Sequence, residues 1–243
     1  MTTPTITTTT MLNIPTLFTS LTRHPWTLLR VLKSANPHDI QGPLHGTASF
    51  TLLPSTTPSS SSPSSTQQPP PSTDPNNNNE HWNQILYTET GTLPTTLGQN
   101  LQWKKSYIWR LTIPGNELSV WFVKVAEPEV ADYLFHGMEF IQSAHSSSSS
   151  LGGLGIGDAD TGTGTGEEFV SAPVPPPAGK GEEEGEGTVV VTAKGNHLCI
   201  NDMYRTAYAF RVREGDGEVV SWASRHVVKG PKKDQDIVNY YSV

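Results

Sequence analysis

Along several stretches of this chain, apolar residues recur at every second position. Leu44, Gly46, Ala48, Phe50 and Leu52 fall on one side of an extended segment, with His45, Thr47, Ser49 and Thr51 on the other. Trp103, Tyr107, Trp109, Leu111 and Ile113 share a face further on. Tyr204, Thr206, Tyr208, Phe210 and Val212 share another, opposed by Arg205, Ala207, Ala209 and Arg211. Period two is the pattern of strands that bury one face. The only helical pattern is Pro15 to Thr22, where Leu17, Phe18 and Leu21 lie on one side and Thr16 is placed to cap. Without helices between strands, a parallel βαβ sheet is excluded.

The strands are expected at 26–33, 44–53, 84–93, 101–113, 117–125, 133–141, 189–193, 197–213, 219–229 and 237–243. Pro114-Gly115-Asn116 and Glu214-Gly215-Asp216-Gly217 read as turns, because Gly and Asn tolerate left-handed backbone and Pro presets φ. Gly91 reads as a bend or bulge. Nine or ten such strands at meander spacing escape exposed edges by closing on themselves. The expected fold is therefore all-β, a single antiparallel β-barrel with a short N-terminal helix. A sandwich is the alternative architecture. A barrel of this strand number has room for one small ligand.

Two polar stretches interrupt the pattern. Residues 54–80 hold runs of Ser, Pro and Asn, and residues 146–187 hold a Ser run, Gly-Thr repeats, a Pro triplet and Gly-Glu repeats. Residues 1–11 are mostly Thr. Such segments bury too little apolar surface to offset the entropy of ordering, so all three are expected to be disordered. Residues 12–243 then form one domain with two inserts, of ordinary size once the inserts are set aside. The net charge of −7 belongs to the second insert, where Asp158, Asp160, Glu167, Glu168, Glu182, Glu183, Glu184 and Glu186 face only Lys180. The remaining chain is near neutral, which argues against nucleic acid or an acidic membrane surface as partner.

Cys199 is the only cysteine, so no disulfide forms within the chain, which fits a reducing, cytoplasmic setting. No apolar run approaches the length that spans a bilayer. The N-terminus lacks the charged and apolar regions of a secretory signal, although its Thr-rich, acid-poor start has some mitochondrial character.

Several polar residues sit within strands. His197 and Cys199 are two apart and so share a face. With His136 they make three soft donors, short of a full metal site, and a hydrogen-bonded wall is the preferred reading, with no metal. Asp202 and Tyr204 have opposite parity to His197 on one continuous strand, unless a bulge intervenes. His136, Asp202 and Tyr204 are suited to general acid–base work. Arg30, Glu89, Arg110 and Arg205 are strand charges that either face solvent or form a buried ion pair or carboxylate-binding Arg. Lys229, Lys232 and Lys233 make a basic turn around Gly230-Pro231, and Lys233 is a candidate for an anionic ligand at the barrel mouth. Tyr107, Trp109, Trp121, Tyr208, Trp222, Tyr240 and Tyr241 are packing residues, some of which could also line a cavity. Nothing resembles a nucleophile elbow, a zinc-protease motif, a phosphate-binding Gly loop or paired CxxC.

The motifs Phe18-x-x-Leu21, Trp26-x-x-x-Arg30, Gly46-Thr-Ala-x-Phe50, Leu86-Tyr87-x-Glu89-x-Gly91, Tyr107-x-Trp109, Phe135-His136, His197-x-Cys199-x-x-Asp202-x-Tyr204 and Gly230-Pro-Lys-Lys-Asp234 stand in order along the chain. Together they resemble domain-of-unknown-function family 6314, bacterial and fungal proteins without an established activity. The resemblance covers nearly all of the chain outside the inserts. Its opening helix, initial Trp and meander imply a calycin-like barrel, similar in plan to lipocalins. Two positions depart from the family: Arg23-His24-Pro25 precede Trp26 where a Gly is usual, and Gln235 stands where Tyr follows Lys-Asp.

The leading functional expectation is a binding protein for a small apolar or amphipathic molecule. Its cavity would be roughly a few hundred Å³, oriented by His136, Tyr204, Arg110, Glu89, Tyr107, Trp109, His197, Asp202 or Lys233. A cofactor-free isomerase or cyclase using His136, Asp202 and Tyr204 is the second reading, and a structural or interaction module the third. No cofactor or oligomeric state is specified by the sequence.

Overall fold

The computed structural model describes residues 12–54, 81–98, 101–141, 169–178, 187–231 and 233–243. The N-terminal tail, residues 55–80 of the first expected insert, and most of the second lie outside the described residues.

The described chain forms one closed antiparallel barrel of ten strands, each paired with its sequence neighbours, with the last strand closing onto the first. They are β1 (Trp26–Ser34), β2 (Gly42–Leu52), β3 (His81–Thr92), β4 (Gln102–Ile113), β5 (Leu118–Val123), β6 (Ala131–Ile141), β7 (Thr188–Cys199), β8 (Asp202–Arg213), β9 (Val219–Lys229) and β10 (Asp234–Ser242). The period-two faces hold as expected. Leu28, Phe50, Ile85, Trp109, Phe210 and Trp222 are all buried in one core. Among the described residues, no helix is long and apolar enough to cross a membrane.

Helix α1 (Ile14–Ser20) packs against one end of this core. Its cap is Asn13, whose Oδ1 accepts from the Thr16 amide at 3.0 Å, so the expectation of Thr16 as cap is corrected. Leu17, Phe18 and Leu21 are buried, each contributing about 1.5–3 kcal/mol. That burial holds a helix of seven residues, which is too short to persist alone. The Trp26 indole donates to the Leu21 carbonyl at 3.1 Å, and the Val219 amide donates to Ser20 Oγ at 3.2 Å, pinning the helix to β1 and β9.

Three local expectations are corrected. The segment 197–213 is not one strand: β7 runs on to Cys199, and β8 starts at Asp202 after a tight turn where Ile200 takes φ of 57°. Nothing in Ile200-Asn201 announces this as strongly as Gly195-Asn196, which instead lies within β7. Gly91 makes no bulge, since its pairing with Gly46 and Trp103 is regular. It is needed because a Cβ there would stand 2.6 Å from the Trp103 ring. Finally, residues 169–178 of the second expected insert have a place in the fold. Arg211, on the outside of β8, donates to the Pro175 and Pro176 carbonyls at 3.3 and 3.0 Å, and Ser221 on β9 donates to the Pro176 carbonyl at 2.5 Å.

The wall is uneven. β7 and β8 pair along their whole lengths, but among the described residues β6 meets β7 only where Glu139–Ile141 face Thr192–Lys194.

Candidate functional site

At the end away from α1, the interior holds polar residues on inward-facing positions of five strands. Arg30 on β1 is buried, its Nη2 donating to both oxygens of Glu89 on β3 at 2.7 Å and its Nε to Asn239 Oδ1 on β10 at 2.7 Å. Tyr87 donates to Glu89 Oε2 at 2.5 Å and therefore accepts from the Tyr241 hydroxyl at 2.8 Å. Asn239 Nδ2 donates to Ser224 Oγ at 2.9 Å. The His226 ring spans Ser224 and Thr206, at 3.2 and 3.0 Å. The result is one continuous chain of hydrogen bonds from Thr206 to Tyr241. The closed register makes it possible: Arg30 faces Asn239, Asn239 faces Ser224, and Thr206 faces His226 across adjacent strands.

Burial governs the protonation states. It raises the Tyr87 and Tyr241 hydroxyls and pushes Tyr107 up to about 12. Burial lowers His226 to about 3 and His136 to about 4, so both rings are neutral near pH 7.

This network borders a chamber of about 100 Å³, whose apolar side is Trp109, Val120, Phe135, Tyr208 and Trp222. Trp222 stacks face to face on Tyr241 with centroids 3.5 Å apart. Arg30, Lys105 and Ile237 also line a second, outer space of about 440 Å³, bounded by Leu32, His38, Asp39, Leu44, Leu93 and Trp103. The Trp103 ring covers the Arg30 guanidinium at 4.7 Å. The inner chamber is smaller than the few hundred Å³ expected.

Of the sequence candidates, Glu89, Tyr107, Trp109 and Tyr204 line the chamber. Tyr204 and Asp202 are linked at the rim through Lys233, whose Nζ donates to the Tyr204 hydroxyl at 2.8 Å and pairs with Asp202 at 3.3 Å. The tight β7–β8 turn puts His197 directly across from Tyr204 and Cys199 across from Asp202, so the parity conflict disappears. His197 packs its ring against Phe135 and Tyr204, and burial lowers its pKa.

His136 is turned inward but lies beside the chamber. β6 carries one extra residue opposite Val120-Trp121, which lets both Phe135 and His136 face the interior. His136 Nδ1 donates to the Gly137 carbonyl at 3.0 Å, so Nε2 accepts from the Tyr208 hydroxyl at 3.0 Å. Arg110 is not brought to the site. It alternates with Trp109 on β4, and its guanidinium lies between Trp121 and Trp82, at 4.3 and 5.4 Å from their ring centres.

Sequence reading passed over Lys105, Ser224, His226 and Asn239, took Tyr241 only as one of the packing aromatics, and left Arg30 without a partner. Parity could have found them: Lys105 shares the face of Tyr107, and Ser224 and His226 that of Trp222. Among the described residues, no group of three His, Cys, Asp or Glu side chains is placed to hold a metal ion.

Residues 23–151 and 184–243 match the model of one protein family, described as a family of unknown function. No curated protein and no solved structure matches the chain.

Proposed function

We propose that this chain, which belongs to the family of unknown function DUF6314, is a calycin-like, cytoplasmic binding protein that holds a small amphipathic molecule within its barrel. The observation that carries this reading is the split interior. One side of the chamber is aromatic, the other is a satisfied polar network, and Arg30, Lys105 and Ile237 border both the chamber and an outer vestibule. A concave, largely apolar site with a few fixed polar groups is the ordinary form of a small-molecule pocket. The network is held by residues on rigid strands, so it costs little to keep it organised before the ligand arrives.

Binding is favoured over turnover by the placement of the acid–base candidates. An isomerase or cyclase needs His136, Asp202 and Tyr204 on one substrate. Both ring nitrogens of His136 are engaged, by Gly137 and Tyr208, and Asp202 is held at the rim by Lys233. The reading includes neither nucleic acid nor membrane as a partner.

The test is native mass spectrometry, with an absorbance scan, on protein purified from its own host. A retained small molecule that leaves on denaturation supports the reading. Its loss from a Trp109→Ala variant that still melts cooperatively would locate it in the chamber. A wild-type protein that carries nothing, and whose tryptophan fluorescence no small-molecule panel changes, would refute it.

A further inference from the structure

The chamber has more hydrogen-bond donors than acceptors. Glu89 is its one carboxylate, and its two oxygens already take three hydrogen bonds, from Arg30 and Tyr87. Lys105 stands directly across from Glu89 on β4 and lines both the chamber and the vestibule. Among the described residues it has no ion-pair partner. The Tyr107 hydroxyl, two residues along the same face, has no hydrogen-bond partner among them either. The buried Trp222 and Trp103 indole nitrogens, on the walls of chamber and vestibule, likewise have no acceptor. The two buried indoles gain an acceptor outright, while the exposed Lys105 and half-buried Tyr107 would exchange water for a ligand oxygen.

Charge points the same way. Arg30 and Lys105 against Glu89 leave one positive charge at the junction of the two spaces, since His136 and His226 are neutral there. Lys105 is exposed at its outer side; desolvation of its inner part and the Arg30 guanidinium lower its pKa, while Glu89 across the strand pulls it up. In the vestibule Asp39 is engaged by Ser34, Asn36 and Gln235. At the rim Asp202 is engaged by Lys233.

Resting on the binding reading above, we infer that the occupant is a small monocarboxylate. Its carboxylate sits at the chamber–vestibule junction on Lys105, Tyr107 and the outer edge of Arg30, and its apolar body lies against Trp109, Phe135 and Trp222. Size limits the body to one ring at most: the chamber is about 100 Å³, less than the roughly 150 Å³ of a cavity that takes benzene, so a ring enters only in part and its carboxylate end stays on the vestibule side. A dianion is disfavoured, because the second charge would face Glu89.

The test uses benzoate, its neutral analogue benzamide, and phenyl phosphate, measured by calorimetry and by quenching of the chamber tryptophans. Wild-type protein is expected to bind benzoate at least about tenfold tighter than benzamide and tighter than phenyl phosphate. Lys105→Met and Tyr107→Phe should each weaken benzoate by about tenfold and leave benzamide within about twofold, with melting temperatures showing that both variants fold. Lys105→Gln replaces the Met variant if that one does not fold. Equal binding of benzamide, tighter binding of phenyl phosphate, or benzoate affinity untouched by Lys105→Met overturns the carboxylate and leaves the binding reading standing. Failure of all three probes to bind wild-type protein at millimolar concentration overturns the monocarboxylate, while the binding reading is refuted separately by the native mass spectrometry and panel above.

Discussion

Removing the carboxylate of Glu89 tests whether the interior network behaves as one unit. Glu89 is 1% exposed and Arg30 is 6% exposed. In a Glu89→Leu variant the Arg30 guanidinium keeps its Asn239 bond and its stacking on Trp103, but loses the only counter-charge that the described residues place within hydrogen-bonding distance. Breaking a buried pair by removing one partner costs about 3–5 kcal/mol, because the remaining charge stays desolvated. Tyr87 gives up its bond to Glu89 but can turn its proton toward Tyr241, so the loss from that side is small. At an m-value near about 2 kcal/mol/M, the urea midpoint should fall by about 1.5–2.5 M. The stability of a domain is only about 5–15 kcal/mol, so this is a large share of the whole. The double variant Arg30→Met with Glu89→Leu removes both charges, and should recover most of the loss or exceed wild type. Equilibrium urea unfolding followed by tryptophan fluorescence reads all four proteins of the cycle. If the double variant loses the sum of the two single losses, the two groups are uncoupled and the reasoning fails.

Three further outcomes follow from the same structure. His136 and His226 refuse protons until about pH 4 and 3, whereas in the unfolded chain they accept them near about 6.5. The stability from keeping them neutral is complete above the unfolded value and drains by about 1.4 kcal/mol per pH unit per ring as pH falls below it. Urea midpoints of His136→Gln should therefore show a shallower decline between about pH 6.5 and 4, and an unchanged slope would exclude this ring as a source. Gly195→Ala should cost about 1–3 kcal/mol or more, since its Cβ would lie 2.4 Å from the Gly137 carbonyl oxygen and 2.6 Å from His136 Nδ1. A thermal melt that matches wild type would mean that these strands separate more easily than their packing indicates. Arg211→Met should release residues 169–178 from β8 and β9, read as new cleavage there in limited proteolysis, and an unaltered digest would place the hold elsewhere.

How far the sequence could be read depended on whether a property was local. Alternation within a strand is local, and the inward faces of β4 and β8 were legible residue by residue. The turn after Cys199 was not, because Ile200 is an unusual residue for left-handed backbone and Gly195-Asn196 offered a better one. That misplaced turn set His197 and Tyr204 on opposite parities, although they face each other. The site itself depends on which strands become neighbours when the barrel closes. Arg30 and Asn239 are 209 residues apart and meet only because β10 returns to β1. Phe135 and His136 both point inward through an extra residue in β6, and no alternating pattern signals that.

The short lacing of β6 to β7 gives the molecule a side door. Among the described residues its ladder is the shortest, three pairs at Glu139–Ile141 against five in β4–β5 and five interrupted by irregularities in β5–β6. Phe135, which forms part of the chamber wall, sits just past the fastening. Slow breathing of the protein will start at this joint, and its first effect will be to admit water sideways to the aromatic half of the interior while the Arg30–Glu89 half stays shut.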